Sequence, residues 1–154
     1  MFLTSHTAAA ILIATKIQNP YLGFLLGLLS HFILDMIPHG RESELFDKRA
    51  DHRQRLIRLA QLGIIDVFFA GCLLVSSLYF LKPVDNIVFF STVFGAMLPD
   101  FLFYITDFLQ IKFLFWFSKF HHYIHDFLHI KYAMKYGFLL QAIFVVLCLY
   151  LVFN

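Results

Sequence analysis

From Tyr136 to Phe153 the chain carries no charged residue, and the runs Leu62–Leu81 and Ile87–Leu98 hold only Asp66 between them. As helices, runs of this kind match the ~30 Å hydrocarbon core of a bilayer, and they lack the period-2 alternation of strands. The whole chain follows the same bias, with 60% hydrophobic and 14% charged residues, where soluble domains average about 45–50% and about 25%. That balance excludes disorder, a disulfide-stapled mini-protein and an ordinary soluble enzyme core. A net charge of +2 is too small to point to nucleic acid. Both cysteines, Cys72 and Cys148, lie in apolar runs, which argues against a disulfide framework.

The expected fold is all-α, a polytopic transmembrane helical bundle in a single domain over 1–154. About five helices are expected, at 5–17, 21–37, 56–81, 87–111 and 136–153. A cytoplasmic-side interfacial or re-entrant helix is expected over 113–134, where the sequence turns aromatic and His-rich. Thr4 or Ser5 would cap the first helix and Pro38 would stop the second. No Lys or Arg precedes the first apolar stretch, so it does not read as a signal peptide.

Charge placement orients the bundle. Pairing the first two helices and the next two as hairpins puts Arg41, Lys48, Arg49, Arg53, Arg55 and Arg58 on one side, together with Lys112, Lys119, Lys131 and Lys135. Only Lys16 and Lys82 fall opposite. By the positive-inside rule the rich side is cytoplasmic. The expected location is the inner membrane, with the N-terminus inside and the C-terminus outside.

Against this background Asp35, Asp66, Asp100, Asp107, His6 and His31 stand out within or at the ends of apolar segments. An Asp near the centre of a membrane helix costs about 2.5–3.5 kcal/mol. No Lys or Arg lies inside the spans to offset it, which leaves metal ions or protons. In the threading above, His6, His31, Asp35, His39, Asp66, Asp100, His121, His122, His125 and His129 all fall in the cytoplasmic half. His31, Asp35 and His39 recur every fourth residue and share one helix stripe if the helix persists through Pro38; if Pro38 ends it, His39 sits in the following turn, still nearby, while His121, His125 and His129 share a stripe of their own. One helix cannot point adjacent residues the same way, so His121 and His125 form the favoured stripe and His122 its main rival. Pro99 should kink the fourth helix, expose a backbone carbonyl and re-aim Asp100 toward the bundle axis. Asp107, near a helix end, reads as a solvated acid or a partner of Lys112.

Imidazole with carboxylate and no nearby thiol suits Zn, Mn or non-haem Fe, with Zn the default for hydrolysis. The candidates are numerous enough for one to three divalent ions, including a pair about 3.5–4 Å apart bridged by an Asp. The expected ligands are His31, Asp35, Asp66, Asp100 and His125, followed by His6, His39, His121 and His122. Asp35, Asp66 and Asp100 are the expected catalytic carboxylates, one of them acting as general base toward the attacking water.

The run SHFILDMIPHG (Ser30–Gly40), the N-terminal SHTAAA, the GIID around Asp66, GAMLPD ending at Asp100 and FHHYIH ending at His125 together resemble one family. It is the family of small bacterial inner-membrane metal-dependent hydrolases, also called the LexA-regulated inner-membrane hydrolase family. The resemblance covers most of the chain, and its most specific part is the His-x3-Asp-x2-Pro-His element. It implies a helical metal site similar to that of zinc-dependent phospholipases C and hydrolysis of a phosphoester or lipid ester. The chain departs from some relatives in lacking a Pro-Asp-x-Asp-His and a His-Arg-Gly-x-Thr-His-Ser element. Phe-Leu-Phe follows its Leu-Pro-Asp, so a ligand supplied there in relatives is missing or replaced.

The expected partners are membrane lipids and an amphiphilic phosphoester or ester drawn from the inner leaflet, whose anionic head group the basic loop Arg41–Arg58 could attract. A metal or proton transporter would also bury Asp and His, but would carry polar residues into the outer half as well. A haem protein would leave the acids without a role. A non-catalytic metal-binding membrane protein is the remaining alternative. The orientation is checked with reporter fusions at the C-terminus: activity is expected outside, and a cytoplasmic C-terminus would undo the one-sided placement of the polar residues.

Overall fold

The computed structural model describes residues 1–37, 52–81, 85–128 and 134–154, without the side chains of 52, 53, 55–60, 107 and 108. Among the described residues are six α-helices and no strand. They are α1 (Leu3–Ala14), α2 (Pro20–Met36), α3 (His52–Leu81), α4 (Asn86–Leu109), α5 (Phe115–His125) and α6 (Met134–Phe153), with a 3₁₀ turn at Lys112–Leu114 before α5. Three stretches are long and apolar enough to cross a membrane: Gln61–Leu81, Asn86–Thr106 and Met134–Phe153. Helices α1 and α2, of 12 and 17 residues, are apolar but shorter. At 1.5 Å per residue they extend roughly 18 Å and 25 Å, less than the ~30 Å core.

Short as it is, α1 is the centre of the bundle and packs against α2, α3, α4 and α6. Its side chains explain this. Residues Ser5 through Ile11 are all buried, and Ala8, Ala9 and Ala10 are small enough to let neighbouring helices approach closely. Ala10 and Ile11 join Phe89, Val93 and Ala96 of α4 in the main apolar core, which Leu73, Leu74 and Leu78 of α3 cover. The opposite surface of α3 exposes Ile64, Phe68 and Val75, each more than half accessible, as a lipid-facing surface would.

Two of the sequence expectations are corrected. Neither Thr4 nor Ser5 caps α1; the helix starts at Leu3 behind Phe2, with no side-chain cap of its own. The cap comes from α3 instead, where the Asp66 carboxylate accepts from the N–H groups of Leu3 and Thr4 and from the Thr4 hydroxyl. A carboxylate at this position satisfies orphan donors and meets the positive end of the helix dipole. The interfacial helix expected over 113–134 is shorter and ends at His125. Asp126 takes φ −93° and ψ 3°, and the Phe127 N–H bonds the Ile124 carbonyl three residues back, which breaks the i→i−4 ladder.

The chain enters α2 through Asn19, whose side chain accepts from the N–H groups of Tyr21 and Leu22, with Pro20 in the first turn. Asp85 caps α4 in the same way through Ile87 and Val88. Gln110, at φ 52°, ends α4 in the left-handed region and turns the chain back toward α5.

The most extensive helix pair is α2 with α4, and glycines set how close it is. A Cβ at Gly23 would collide with the Thr92 hydroxyl, one at Gly27 with the Thr92 carbonyl and Ala96 nitrogen, and one at Gly95 with the Phe24 backbone. Gly27→Ala is therefore expected to destabilise the protein by about 1–3 kcal/mol through overpacking. Gly63 of α3 has nothing within 4 Å of the same position, and there Gly→Ala should stabilise by about 0.5–1 kcal/mol. Thermal unfolding of the two variants in detergent checks the opposite signs.

Candidate metal centre

The glycine seam continues into the polar residues. Gly23, Gly27, His31 and Asp35 follow one another at four-residue steps, so the stripe that presses α2 onto α4 ends in an imidazole and a carboxylate. His31 Nδ1 lies 2.8 Å from the Ala96 carbonyl oxygen. That carbonyl lies one turn before Asp100 on α4. From α1 comes His6, stacked on His31 with ring centroids 4.2 Å apart. Helix α5 adds His121 and His125, one turn apart, and the His121 ring stacks on Phe103 of α4 at 4.8 Å. The ligand-type groups thus sit at the start of α1, the end of α2, the second half of α4 and the end of α5.

Asp35 is the hub. Its Oδ2 lies 3.0 Å from His31 Nε2, 3.1 Å from His125 Nε2 and 3.3 Å from His121 Nε2. His6 Nε2 meets the other oxygen, Oδ1, at 3.2 Å, and the amine of Met1 approaches the same atom. Asp100 Oδ1 stands 3.5 Å from His121 Nε2 and 3.8 Å from His31 Nε2. The side chains of His6, His31 and Asp35 are fully buried and His121 nearly so, whereas Asp100 is 16% and His125 26% accessible. The centre is therefore closed on the α1 and α2 side and open beside Asp100 and His125.

His31 reveals the donor chemistry. A carbonyl oxygen only accepts, so Nδ1 carries a proton in its bond to Ala96, which leaves Nε2 as the atom a metal ion would take. Nε2 faces the Asp35 carboxylate, His121 Nε2 at 3.2 Å and Asp100. Atoms converging at this distance need a proton or a metal ion among them. Metal–ligand bonds of about 2.0–2.2 Å in tetrahedral array place ligand atoms about 3.3–3.6 Å apart. The separations of His31 and His121 from each other and from Asp35 and Asp100 run from 3.0 to 3.8 Å, and the ligand atoms of all four residues lie within 4.8 Å of one another. Asp35 Oδ2 has three nitrogens within ion-pair range yet none aligned as a hydrogen bond, and both nitrogens of buried His6 also lack hydrogen-bond partners. These four residues together could hold a metal ion, and the backbone carbonyl behind His31 is the kind of outer contact that fixes a ligating imidazole.

Helix α5 lies outside the three spanning stretches. Burial would lower the pKa of His121 there, but the adjacent carboxylates of Asp100 and Asp35 outweigh it and raise the imidazole to about 9. A metal-free centre at neutral pH thus carries a proton that a metal ion would displace.

The structure brings together six of the expected site residues: His6, His31, Asp35, Asp100, His121 and His125. Asp66 stands elsewhere, since both its oxygens are taken up by the start of α1. His122 is exposed on α5, with its ring edge-on to Phe103. His39, His129 and the basic residues of 41–49 lie outside the described residues, as does the side chain of Asp107. Sequence reasoning missed Gln141 of α6, which accepts from Phe2 N–H at 2.8 Å and from the Ser5 hydroxyl at 3.4 Å. Its signal was present as the one amide in a helix that carries no charge after Lys135.

Detergent-purified protein is expected to carry at least stoichiometric divalent metal by elemental analysis, and Asp35→Ala and His121→Ala to lose it. Retention by both variants would dismiss the centre. Zinc added to metal-free protein near pH 7 should release at least one proton, read by calorimetry in buffers of different ionisation enthalpy. Because His121 must give up its proton to bind, affinity should fall as pH is lowered. No protein-family model, no curated protein and no solved structure matches the chain, so what the centre can do follows from its own geometry and donor chemistry.

Proposed function

We propose that the chain is a membrane-embedded, metal-dependent hydrolase acting on a phosphoester or lipid ester at the inner-leaflet face. The observation that carries this reading is the convergence of His31 Nε2, Asp35, His121 and Asp100, with the His31 ring fixed from behind by the bond from Nδ1 to the Ala96 carbonyl. Donors of this kind, nitrogen and oxygen without thiolate, favour zinc, with Mn or Fe as the other fits. A catalytic zinc site has three protein ligands and an open position, and an ion held here would supply Lewis acidity toward an ester oxygen and lower the pKa of water.

In this reading His31, Asp35 and His121 would hold the ion. Asp100, the more accessible carboxylate, faces the open side and takes the proton from the attacking water. His6 holds Asp35 from behind through Oδ1, so that Oδ2 stays directed at the ligand set. His125 stands at the open edge, placed to meet the substrate or to share Asp35. The motifs behind the family resemblance contain these same residues: His31 and Asp35 in SHFILDMIPHG, Asp100 in GAMLPD, and His121 and His125 in FHHYIH. The excess of Lys and Arg on one side gives the centre a cytoplasmic orientation.

The test is turnover by zinc-loaded protein on a panel of phosphomonoesters, phosphodiesters and carboxylic esters, with activity lost on chelation and restored by zinc. Asp100→Asn should retain metal while kcat falls by about 10²–10⁴-fold, the usual worth of a positioned general base. Stoichiometric metal with no turnover across the panel would overturn the hydrolase and leave a non-catalytic metal-binding membrane protein.

A further inference from the structure

Beside the centre, α2, α4 and α5 leave a groove of about 290 Å³ walled by Leu28, Phe32, Leu98, Leu102, Trp116 and Phe120. Every wall residue is apolar, yet the groove adjoins the most polar cluster in the described structure. The Phe32 ring stands edge-on to His31 at 5.5 Å and meets Phe120 at 5.4 Å. Phe117, also in the wall, tilts against His121 at 6.2 Å, and Pro99 in the wall directly precedes Asp100. Three residues of the metal centre therefore stand one side chain or one peptide away from an apolar trough. Asp100 and His125 keep the centre accessible.

A site that joins a cation-binding cluster to an apolar trough complements a molecule with an anionic head and a hydrocarbon tail. A soluble phosphoester would leave the groove without a role, and a neutral lipid would leave the head-group position without one. We infer that the groove holds the hydrocarbon chain of the amphiphile bound at the centre, so that the ligand class is a long-chain phosphoester. This deepens the hydrolase reading and rests on it for the chemistry. Trp116 and Phe120, 63% and 43% accessible, would be covered by the bound chain. Phe32 would transmit contact between the chain and the His31 ring.

Trp116 is the single tryptophan of the chain and lines the groove, so its fluorescence reports a bromine-bearing chain lying there. Zinc-loaded protein in dodecyl maltoside is titrated with ω-bromododecyl phosphate and, separately, with ω-bromododecanol. Saturable quenching is expected for the phosphate at about tenfold lower concentration than for the alcohol, with that preference lost on chelation. Leu28→Phe and Leu102→Phe, which fill the trough from α2 and α4, should weaken quenching by the phosphate about tenfold or more without changing zinc content. Equal quenching by phosphate and alcohol, or quenching indifferent to zinc and to both variants, would mean ordinary lipid contact and would overturn the assignment. The two readings fail separately. Quenching as expected without turnover keeps the groove and removes the hydrolase, whereas turnover of p-nitrophenyl phosphate with only non-specific quenching does the reverse.

Discussion

A carboxylate removed from solvent and surrounded by imidazoles is the interaction on which the rest of this structure depends. Burying an ion without compensation costs several kcal/mol, so fully buried Asp35 forces its partners to converge. His6 comes from α1, His31 from α2, and His121 and His125 from α5, while Asp100 of α4 adds a second negative charge nearby. Among the described residues the partners of Asp35 are histidine nitrogens and the Met1 amine. Imidazoles are the one side chain able either to take a proton or to give a lone pair to a metal near neutral pH. The centre can thus remain compensated with or without an ion, which a Lys or Arg in the same position would not allow.

Holding that arrangement falls to residues that do no chemistry. The start of α1, which carries His6, is fixed by Asp66 from α3 and by Gln141 from α6. The face of α2 that carries His31 and Asp35 is drawn onto α4 by glycines that permit backbone contact. In an apolar surrounding, burial of hydrocarbon gives little preference for one helix pairing over another, so close packing and polar bonds select the partners. Among the described residues the buried acids, histidines and Gln141 accordingly serve either the centre or the bonds that hold α1 in place.

Much of this was legible beforehand. Four-residue spacing placed His31 with Asp35 and His121 with His125, and the shortage of basic residues within the spans pointed to histidine and acid as one group. The Gly23–Gly27 continuation of the His31–Asp35 stripe was also readable and identifies the face that meets α4. Asp66 shows where such reasoning stops. The expected threading puts it at similar depth to Asp35 and Asp100, and it is just as anomalous in hydropathy, but depth does not distinguish a carboxylate turned toward imidazoles from one turned toward the N–H groups of a neighbouring helix. Adjacent His121 and His122 differ by about 100° around the helix, and it is the packing of α5 on α2 and α4 that puts one inside and the other out.

The sequence by itself determined that this chain is helical, that most of it is suited to lipid, and that its scarce acids and histidines gather toward one end. Run length, periodicity and charge placement all act along a single helix, and each can be read from neighbouring residues. Only the tertiary structure decided that α1, the second-shortest helix, is the hub, that Asp66 caps it, and that four residues from three helices approach within ligand distance. Those outcomes depend on the rotation of each helix about its axis and on contacts between segments far apart in the chain, which no local pattern encodes.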